Sequence, residues 1–421
     1  MKKINIKQSI IKFSDFLFVM LLIMSSNSIY YTSAERNYYI SELLIFSVIF
    51  MLIIRLLFDM IDVKKLSIAF SFLTFYVLFM GMFSLININK NFYNFFCIFI
   101  VLFSLCYLIY KTARKEERII NRLLKMYTDI VLCIAIFSLI MYIIGPTLNI
   151  IKPTGYFSIQ WGGIKNNYSY FNIYFVRQTE KIFGKIIFRN TSIFTEAPMY
   201  SLILTIALAS EVFLLNRRNK KRILIFVITI ITTISTTGII ISSLIIGTMF
   251  IKENETNKVI GYIKIIFLPI LIFILAYTSF YFFNAKKDSN SYNTRIDDYK
   301  ASFLAWKDHP IFGNGYGNNE VAKGYMSAFR SDNKGLSNSI MVVLAQGGVI
   351  LFSFYFIAVF RVWKYSRNIN VKLFLIVMII LFITTIFQYM PLLINFMAIS
   401  YALSKDGYTQ RENIKINIKQ K

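Results

Sequence analysis

Residues 217–251 read RRNKKRILIFVITIITTISTTGIIISSLIIGTMFI, and the placement of this stretch in a membrane decides the topology of the chain. As one helix, residues 223–251 would be about 45 Å long, which exceeds the hydrocarbon core of a bilayer. The polar run Ser235-Thr236-Thr237-Gly238 lies near the middle. A break there gives two short helices that meet at a polar turn near the outer surface. We therefore predict a hairpin over 223–251.

Basic clusters in the connections require the same hairpin. Short positively charged loops of membrane proteins stay in the cytoplasm, which places inside the clusters within 2–7, 111–125 and 217–222. The cluster within 361–372 must also lie inside, so the number of crossings after the third cluster is even. Counting 223–251 as two crossings brings the total to about twelve, with both termini cytoplasmic.

The composition is that of a membrane protein. Of the 421 residues, 57% are hydrophobic and 16% charged, whereas soluble domains are about 45–50% apolar and about 25% charged. The net charge of +25 marks a cytoplasmic face rather than a nucleic-acid site. The first apolar run, Ile10 to about Met24, lacks a good signal-peptide cleavage site and is expected to be the first span. The candidate spans lie near 10–30, 39–58, 66–87, 92–110, 125–145, 197–215, 222–251, 260–283, 336–360, 371–388 and 390–404.

We therefore expect an all-α integral membrane protein with two long extracytoplasmic loops. The domains are an N-terminal five-helix region at 1–145, a first loop at 146–196, central helices at 197–283, a second loop at 284–335, and a C-terminal three-helix region with a basic cytoplasmic tail at 336–421. Neither loop shows a strong strand or helix pattern throughout, and connections of this length are usually functional or disordered.

Cysteine, histidine and charge patterns exclude several classes. Cys97, Cys106 and Cys133 all lie in apolar runs, and the only histidine is His309. A disulfide framework, a zinc site, a His-Cys nucleophile pair and a phosphate loop are therefore unsupported, and we expect no cofactor or metal. The ionisable residues of the spans lie within a turn or two of span ends, which argues against a pump or symporter: Asp15, Glu42, Arg55, Asp129, Glu211 and Lys264. Gln388 and Asn395 are expected to bond between helices.

The first loop combines basic and aromatic side chains. It contains six basic residues, Arg177 and Arg189 among them, and two acidic ones. Eight aromatic residues, including Trp161, lie within 156–175. Guanidinium groups suit phosphate oxygens and aromatic faces suit sugar rings. Alternatively, the aromatics pack a small lid or lie in the interfacial belt.

The end of this loop is more informative. In Arg189-Asn-Thr-Ser-Ile-Phe-Thr-Glu196-Ala-Pro198, an arginine and a glutamate stand seven residues apart, just before a span that Pro198 can open. Glu196 is then near the outer end of that helix, and Arg189 can reach over it. An interfacial salt bridge is the alternative.

The second loop contains a predicted helix and a glycine turn. Ile296, Tyr299, Phe303 and Trp306 lie on one face of an amphipathic helix over 294–307. Pro310 ends this helix, and three glycines within 313–317 make a tight turn. His309 could be a base, but a histidine at a helix end more often caps it, and we favour that role.

Several of these stretches together resemble the O-antigen polymerase and ligase superfamily of bacterial membrane glycosyltransferases. The matching residues are Arg189 to Pro198, the Thr236-Thr237-Gly238 break, Arg295, His309-Pro-Ile-Phe-Gly-Asn-Gly315, Ser337-Asn338-Ser339 and Gln346-Gly347-Gly348. The resemblance implies a GT-C-like fold. Ligases of this superfamily have a His-Asn pair where this chain has Ser337-Asn338, and an arginine that the break here lacks. Both departures favour a repeat-unit polymerase.

The resemblance also implies a reaction and its partners. A growing glycan on undecaprenyl pyrophosphate is transferred, without a metal, to a lipid-linked repeat unit outside the bacterial plasma membrane. Donor and acceptor lipids are the expected partners, together with membrane lipid and a chain-length regulator. Arg189 and Arg295 are the expected clamp and Glu196 the expected base; the expected substrate-binding residues are Arg177, Arg330, Trp161, Ser337 and Asn338. A ligase-type transferase, a lipid-linked oligosaccharide flippase, a solute transporter and a non-catalytic scaffold are the alternatives.

Overall fold

A computed structural model describes residues 6–32, 38–87, 91–159, 165–182, 185–215, 219–252, 290–330 and 335–403. The helices before the first long loop are α1 (Ile6–Met24), α2 (Ile29–Thr32), α3 (Tyr38–Leu57), α4 (Val63–Ile86), α5 (Phe92–Phe95), α6 (Phe103–Thr112) and α7 (Glu116–Tyr142). Wider π-helical turns join α5 to α6 and extend α7 to Thr147. After that loop follow α8 (Ala197–Ala209), α9 (Lys220–Thr232), α10 (Thr236–Lys252), α11 (Asn290–Asp308), α12 (Glu320–Gly324), α13 (Ser339–Tyr365), α14 (Ile369–Thr384) and α15 (Pro391–Ala402).

The described helices are those of a multi-pass membrane protein. Six helical stretches are long and apolar enough to span a bilayer: Tyr39–Leu57, Val63–Ile86, Phe92–Thr112, Glu116–Thr147, Ala197–Leu214 and Ser339–Tyr365. Shorter apolar helices cover Thr236–Met249, Ile369–Thr384 and Pro391–Ala402. The total of twelve spans stays a prediction, and the candidate span at 260–283 lies outside the described residues.

The stretch 223–251 is divided between two helices. α9 begins after Asn219, whose side chain caps it by accepting from the amide of Lys221 at 3.1 Å. The chain leaves α9 at Thr232 and enters α10 at Thr236, and Ile234 between them has a left-handed φ of 53°. A Cβ on Gly238 would lie 1.8 Å from the Ser201 hydroxyl oxygen. Glycine therefore allows α10 to approach α8 closely; the membrane crossing of this pair stays a prediction.

The first long loop forms strands, contrary to the expectation of an irregular segment. Strands β1 (Gly155–Ile159), β2 (Lys165–Tyr170) and β3 (Tyr174–Val176) make one antiparallel sheet, and β4 (Thr179–Ile182) pairs with β5 (Lys185–Phe188). Tyr170, Tyr174 and Val176 are buried against Met141 of α7. Aromatic and β-branched residues favour a half-buried pleated surface. The fold is thus helical with a small β insertion.

Ion pairs of the buried Asp15 join three helices of the bundle. Asp15 lies halfway along α1 rather than near its end, because the helix already begins at Ile6. Its carboxylate contacts Arg55 of α3 at 2.8 Å and Arg122 of α7 at 2.5 Å. Removing one partner of such a pair leaves an uncompensated buried charge. The network therefore fixes three helices relative to one another.

The second loop helix turns its predicted apolar face outward. Ile296, Tyr299 and Phe303 are exposed, whereas the opposite face, with the buried Ala301 and Ala305, lies against α13. Small side chains permit that close approach. The predicted helix is thus present, within Asn290–Asp308, and small residues outside its predicted apolar face form the contact with α13.

Candidate functional site

The glycine turn of the second loop is joined to a kink in α13. Gly348 has φ 61° and ψ −165°, which interrupts the helix. The turn provides partners for the backbone groups at the interruption: Asn314 N donates to Ala345 O at 2.9 Å, and Val349 N donates to Pro310 O at 2.9 Å. These bonds satisfy groups that the broken helix would leave unpaired. The two motifs thus form one structural unit.

Side-chain amides fasten this unit to the neighbouring helices. Asn87 at the end of α4 donates to the carbonyl oxygen of Gln346 at 2.9 Å and accepts from the amide of Tyr316 at 2.8 Å. The Gln346 side chain donates to Asn319 at 2.7 Å and accepts from the Tyr389 hydroxyl at 2.7 Å. The turn, the kink and α4 therefore have a fixed arrangement.

A polar cavity of about 430 Å³ lies at the end of the bundle where α8 and α10 begin. It brings together three residues predicted for the site: Glu196, Arg295 and Ser337. We call it the arginine cavity; its lining is Gln178, Glu196, Pro198, Met199, Ser235, Thr237, Thr294, Arg295, Asp298, Gly335, Leu336, Ser337, Thr384, Thr385 and Ile386. Its walls come from the first loop, the α9–α10 break, α11, the start of α13 and the end of α14.

Glu196 stands at the N-terminus of α8. Its backbone carbonyl accepts from Met199 and Tyr200, both at 3.1 Å, while Gln178 Oε1 accepts from the amide of Ala197 at 3.0 Å. The helix end is therefore satisfied by backbone and by Gln178 rather than by the Glu196 carboxylate. Pro198 within the first turn agrees with the predicted start of this helix.

Arg177 lies close to Glu196. Its guanidinium donates to Thr195 O at 3.4 Å. Burial lowers the pKa of Arg177 from its ordinary value, and the negative charge of Glu196 opposes that shift. The arginine therefore provides positive charge on the Glu196 side of the cavity.

Arg189 lies behind the cavity lining. Its Nε donates to Thr233 O at 2.9 Å, just past the end of α9, and its guanidinium lies 3.8 Å from the Glu180 carboxylate. Burial lowers its pKa, and Glu180 and then Glu196 oppose this. These contacts attach the first loop to the α9–α10 break, and a direct role in the clamp stays a prediction.

Arg330 is buried next to α11 and forms ion pairs with two of its residues. Its Nη1 contacts Asp298 at 2.8 Å and Asp297 at 3.4 Å, and its Nη2 donates to Gly335 O at 2.8 Å. Two adjacent carboxylates therefore converge on one guanidinium. Burial raises the pKa of Asp298, while hydrogen bonds from Ser337 and Arg330 oppose the rise. The observed role of Arg330 is to hold the segment that carries Arg295; substrate binding by it stays a prediction.

The remaining predicted residues have different surroundings. Ser337 lines the cavity, and the buried Asn338 caps α13 by accepting from Met341 N at 2.9 Å. His309 is exposed after the end of α11, and its carbonyl accepts from Gly313 N at 2.8 Å. Trp161 lies outside the described residues.

A second cavity, of about 270 Å³, was not predicted. We call it the amide cavity; its lining is Ser25, Asn27, Tyr31, Asn91, Asn94, Ile98, Tyr316, Gly317, Asn319, Gln346, Ile386, Phe387, Gln388, Tyr389, Met390 and Pro391. These residues come from distant parts of the chain: most lie in connections, and others, such as Ile98 and Gln346, lie in helices. No local spacing pattern marks them; Gln388 and Gln346 stand out in the sequence only for separate reasons.

Comparison with known proteins gives a family match for the central part of the chain. The chain is a multi-pass membrane protein with a charged cavity at one end of its bundle, and residues 222–356 match the family model described as O-antigen ligase. That range contains the α9–α10 pair, Arg295, the glycine turn, Ser337 and the kink. Over these residues the match supports the resemblance to the O-antigen polymerase and ligase superfamily. No curated protein matches the chain.

Proposed function

We propose that this chain is a metal-independent repeat-unit polymerase of a bacterial surface polysaccharide. It transfers the growing glycan from undecaprenyl pyrophosphate to a lipid-linked repeat unit at the outer face of the plasma membrane. The observation that carries the proposal is the arginine cavity, in which Glu196 and Arg295 line one polar space at a bundle end. A cation that lines the cavity can stabilise a departing anion electrostatically.

In the proposed reaction, Arg295 and Glu196 have different roles. The acceptor hydroxyl oxygen bonds to the anomeric carbon of the donor while the bond from that carbon to the pyrophosphate oxygen breaks. The leaving pyrophosphate keeps the electron pair, and the Arg295 guanidinium, which can make two parallel contacts with phosphate oxygens, neutralises its charge. The hydroxyl proton passes to the Glu196 carboxylate. Both substrates must be held in register before the step, which accounts for a walled cavity.

The identity of the residue at 337 favours polymerase over ligase. A serine hydroxyl has no proton affinity that would let it act as a general base near neutral pH, and His309 is exposed beyond α11 rather than in the arginine cavity. Glu196 is therefore the base in this proposal. The family description as O-antigen ligase is the observation that favours the second candidate, a ligase-type transferase.

Deletion of the gene and electrophoresis of surface and lipid-linked polysaccharide test the proposal. A polymerase deletion leaves single repeat units attached at the surface. Long lipid-bound glycan that stays unattached to its final acceptor would establish the ligase instead. Loss of all surface glycan, with intermediates facing the cytosol, would establish a flippase. Plasmid-borne wild-type protein must restore the original length distribution.

A further inference from the structure

The amide cavity and the arginine cavity adjoin each other. Ile386, in the connection between α14 and α15, lines both. Asn27 of the amide cavity lies with its Nδ2 3.7 Å from the sulfur of Met199, which lines the arginine cavity. The two cavities are therefore neighbours, separated by these residues.

The two linings differ in charge. The arginine cavity contains Glu196, Arg295 and Asp298, whereas the sixteen lining residues of the amide cavity include no ionisable acid or base other than tyrosine. Six are asparagine or glutamine and three are tyrosine. An amide side chain offers both donors and an acceptor, which matches the hydroxyl groups of a neutral sugar.

Gln388 has an unsatisfied group in this wall. The residue is 6% exposed, and its side-chain Oε1 has no hydrogen-bond partner among the described residues. The Tyr355 hydroxyl donates to the backbone carbonyl of Gln388 instead, at 2.6 Å. Leaving a buried acceptor unpaired is costly, so such a group in a native site calls for a partner. A hydroxyl group of a bound ligand would satisfy it.

Other residues of this wall already have partners within the protein. The side-chain amide nitrogen of Gln346 donates a hydrogen bond to Asn319. Its side-chain oxygen accepts hydrogen bonds from the Tyr389 hydroxyl and, at 3.1 Å, from Gly317 N. The Tyr316 and Tyr389 rings pack with centroids 4.4 Å apart. The cavity is thus preformed, with aromatic surface for the C–H faces of a sugar ring. Its volume is below the roughly 300–1,000 Å³ of drug-sized ligand sites, which suits one monosaccharide unit.

We propose that the amide cavity binds an uncharged monosaccharide unit at the non-reducing end of the acceptor glycan, with Gln388 accepting a hydrogen bond from a sugar hydroxyl. The proposal rests on the proposed function. The donor sugar is covalently attached to the pyrophosphate and must share the arginine cavity with Arg295. The acceptor hydroxyl must then approach from a neighbouring site, and the amide cavity is such a neighbour.

The test uses lipid-linked repeat unit extracted from the deletion strain and, from it, lipid-free oligosaccharide released by mild acid. Saturation-transfer NMR with the purified full-length protein should show binding of the lipid-free oligosaccharide. Gln388→Leu, similar in size and free of an unpaired acceptor, should fold normally and weaken this binding about tenfold. Thr74→Val, at an exposed position on α4, is the matched control and should bind as the wild type does. Arg295→Ala should bind the oligosaccharide, which lacks pyrophosphate, yet fail to polymerise the intact lipid.

The outcomes separate this proposal from the proposed function. If the wild type polymerises the extracted lipid but the oligosaccharide binds equally to wild type and Gln388→Leu, the amide cavity is not the acceptor site and the polymerase proposal stands. If the oligosaccharide binds only when it carries an acidic sugar, the assignment of an uncharged unit is wrong. If the deletion strain accumulates no lipid-linked single repeat, the polymerase proposal itself fails.

Discussion

Gly313 and Gly348 meet backbone to backbone: a Cβ on Gly348 would lie 2.7 Å from the amide nitrogen of Gly313. A Cβ on Gly313 would in turn lie 2.4 Å from the carbonyl oxygen of Gln346. Both residues also have left-handed φ angles, 75° and 61°. Two motifs that are 35 positions apart in the sequence are therefore one contact in the fold, and neither glycine can carry a side chain there without movement of the backbone.

We expect Gly348→Ala to lower stability strongly. The strained φ alone costs about 1–3 kcal/mol, and the collision with the turn backbone adds to it. Thermal unfolding in detergent, followed by fluorescence-detected size exclusion, measures the loss. Gly81→Ala in α4 is the control, because a Cβ at Gly81 meets nothing within 4 Å. An unchanged unfolding temperature for Gly348→Ala would contradict the close packing of turn and kink.

Removal of the Arg295 side chain should abolish long polymer. Loss of one electrostatic donor to a transition state typically costs about 10²–10³ in rate, so Arg295→Ala should leave single repeats. Arg295→Lys keeps the charge but loses the two-point contact, and should restore activity only partly. Gel analysis of surface polysaccharide at matched protein level measures this. Normal polymer length in well-expressed Arg295→Ala would remove this arginine from the clamp.

Arg189→Ala should also shorten the polymer, for a different reason. The Arg189 side chain binds Thr233 O and Glu180, so its removal loosens the first loop above Glu196. His309→Ala is the control and should keep most activity, since the ring is exposed outside the cavity. Limited proteolysis of the first loop should accelerate in Arg189→Ala; unchanged cleavage with lost activity would instead indicate direct contact with substrate.

Arg330→Leu should destabilise the protein more than Asp298→Asn does. Breaking a buried ion pair by removing one partner costs about 3–5 kcal/mol, and Arg330→Leu leaves two buried carboxylates, Asp297 and Asp298, uncompensated. Burial raises the pKa of Asp298, so a neutral side chain is better tolerated there. Unfolding temperatures of the two variants in the same detergent decide the order. Equal losses would show that the charge at 298 contributes as much as the guanidinium.

Polymerisation by the purified protein should survive EDTA. The adjacent carboxylates of α11 already bind Arg330, and Ser327 N donates to Asp297 at 3.2 Å, so they have little capacity for a cation. The assay is polymer formation from extracted lipid-linked repeats with and without chelator. Activity that is lost with EDTA and restored by magnesium or manganese would overturn metal independence.

Reporter fusions test the hairpin. Fusions at Asn254 should report the cytoplasm and fusions at Asp288 the outside, because 223–251 is expected to cross twice and 260–283 once. The separation of α9 from α10 supplies the break that two crossings need. The reverse pattern would place the arginine cavity on the cytoplasmic side and exclude the proposed reaction there.

Patterns local in sequence were predictable, and contacts between distant segments were not. The break at Thr236, the helix start at Pro198 and the glycine turn follow from residue types in short windows. Arg330 was assigned to substrate because a basic side chain in a loop gives no sign of two carboxylates on a helix more than thirty positions earlier. The amide cavity was missed because its residues are neutral and come from separate stretches of the chain, of which the longest contributes six. Charge reveals a site in a membrane sequence far more readily than amides do.

The union of turn and kink also constrains how the enzyme can open for its substrates. The second loop is tied through Asn314 and Gly315 to backbone groups of a long membrane helix, so it cannot swing away without breaking that helix further. The glycine turn and the kinked part of α13 would therefore move together as one body.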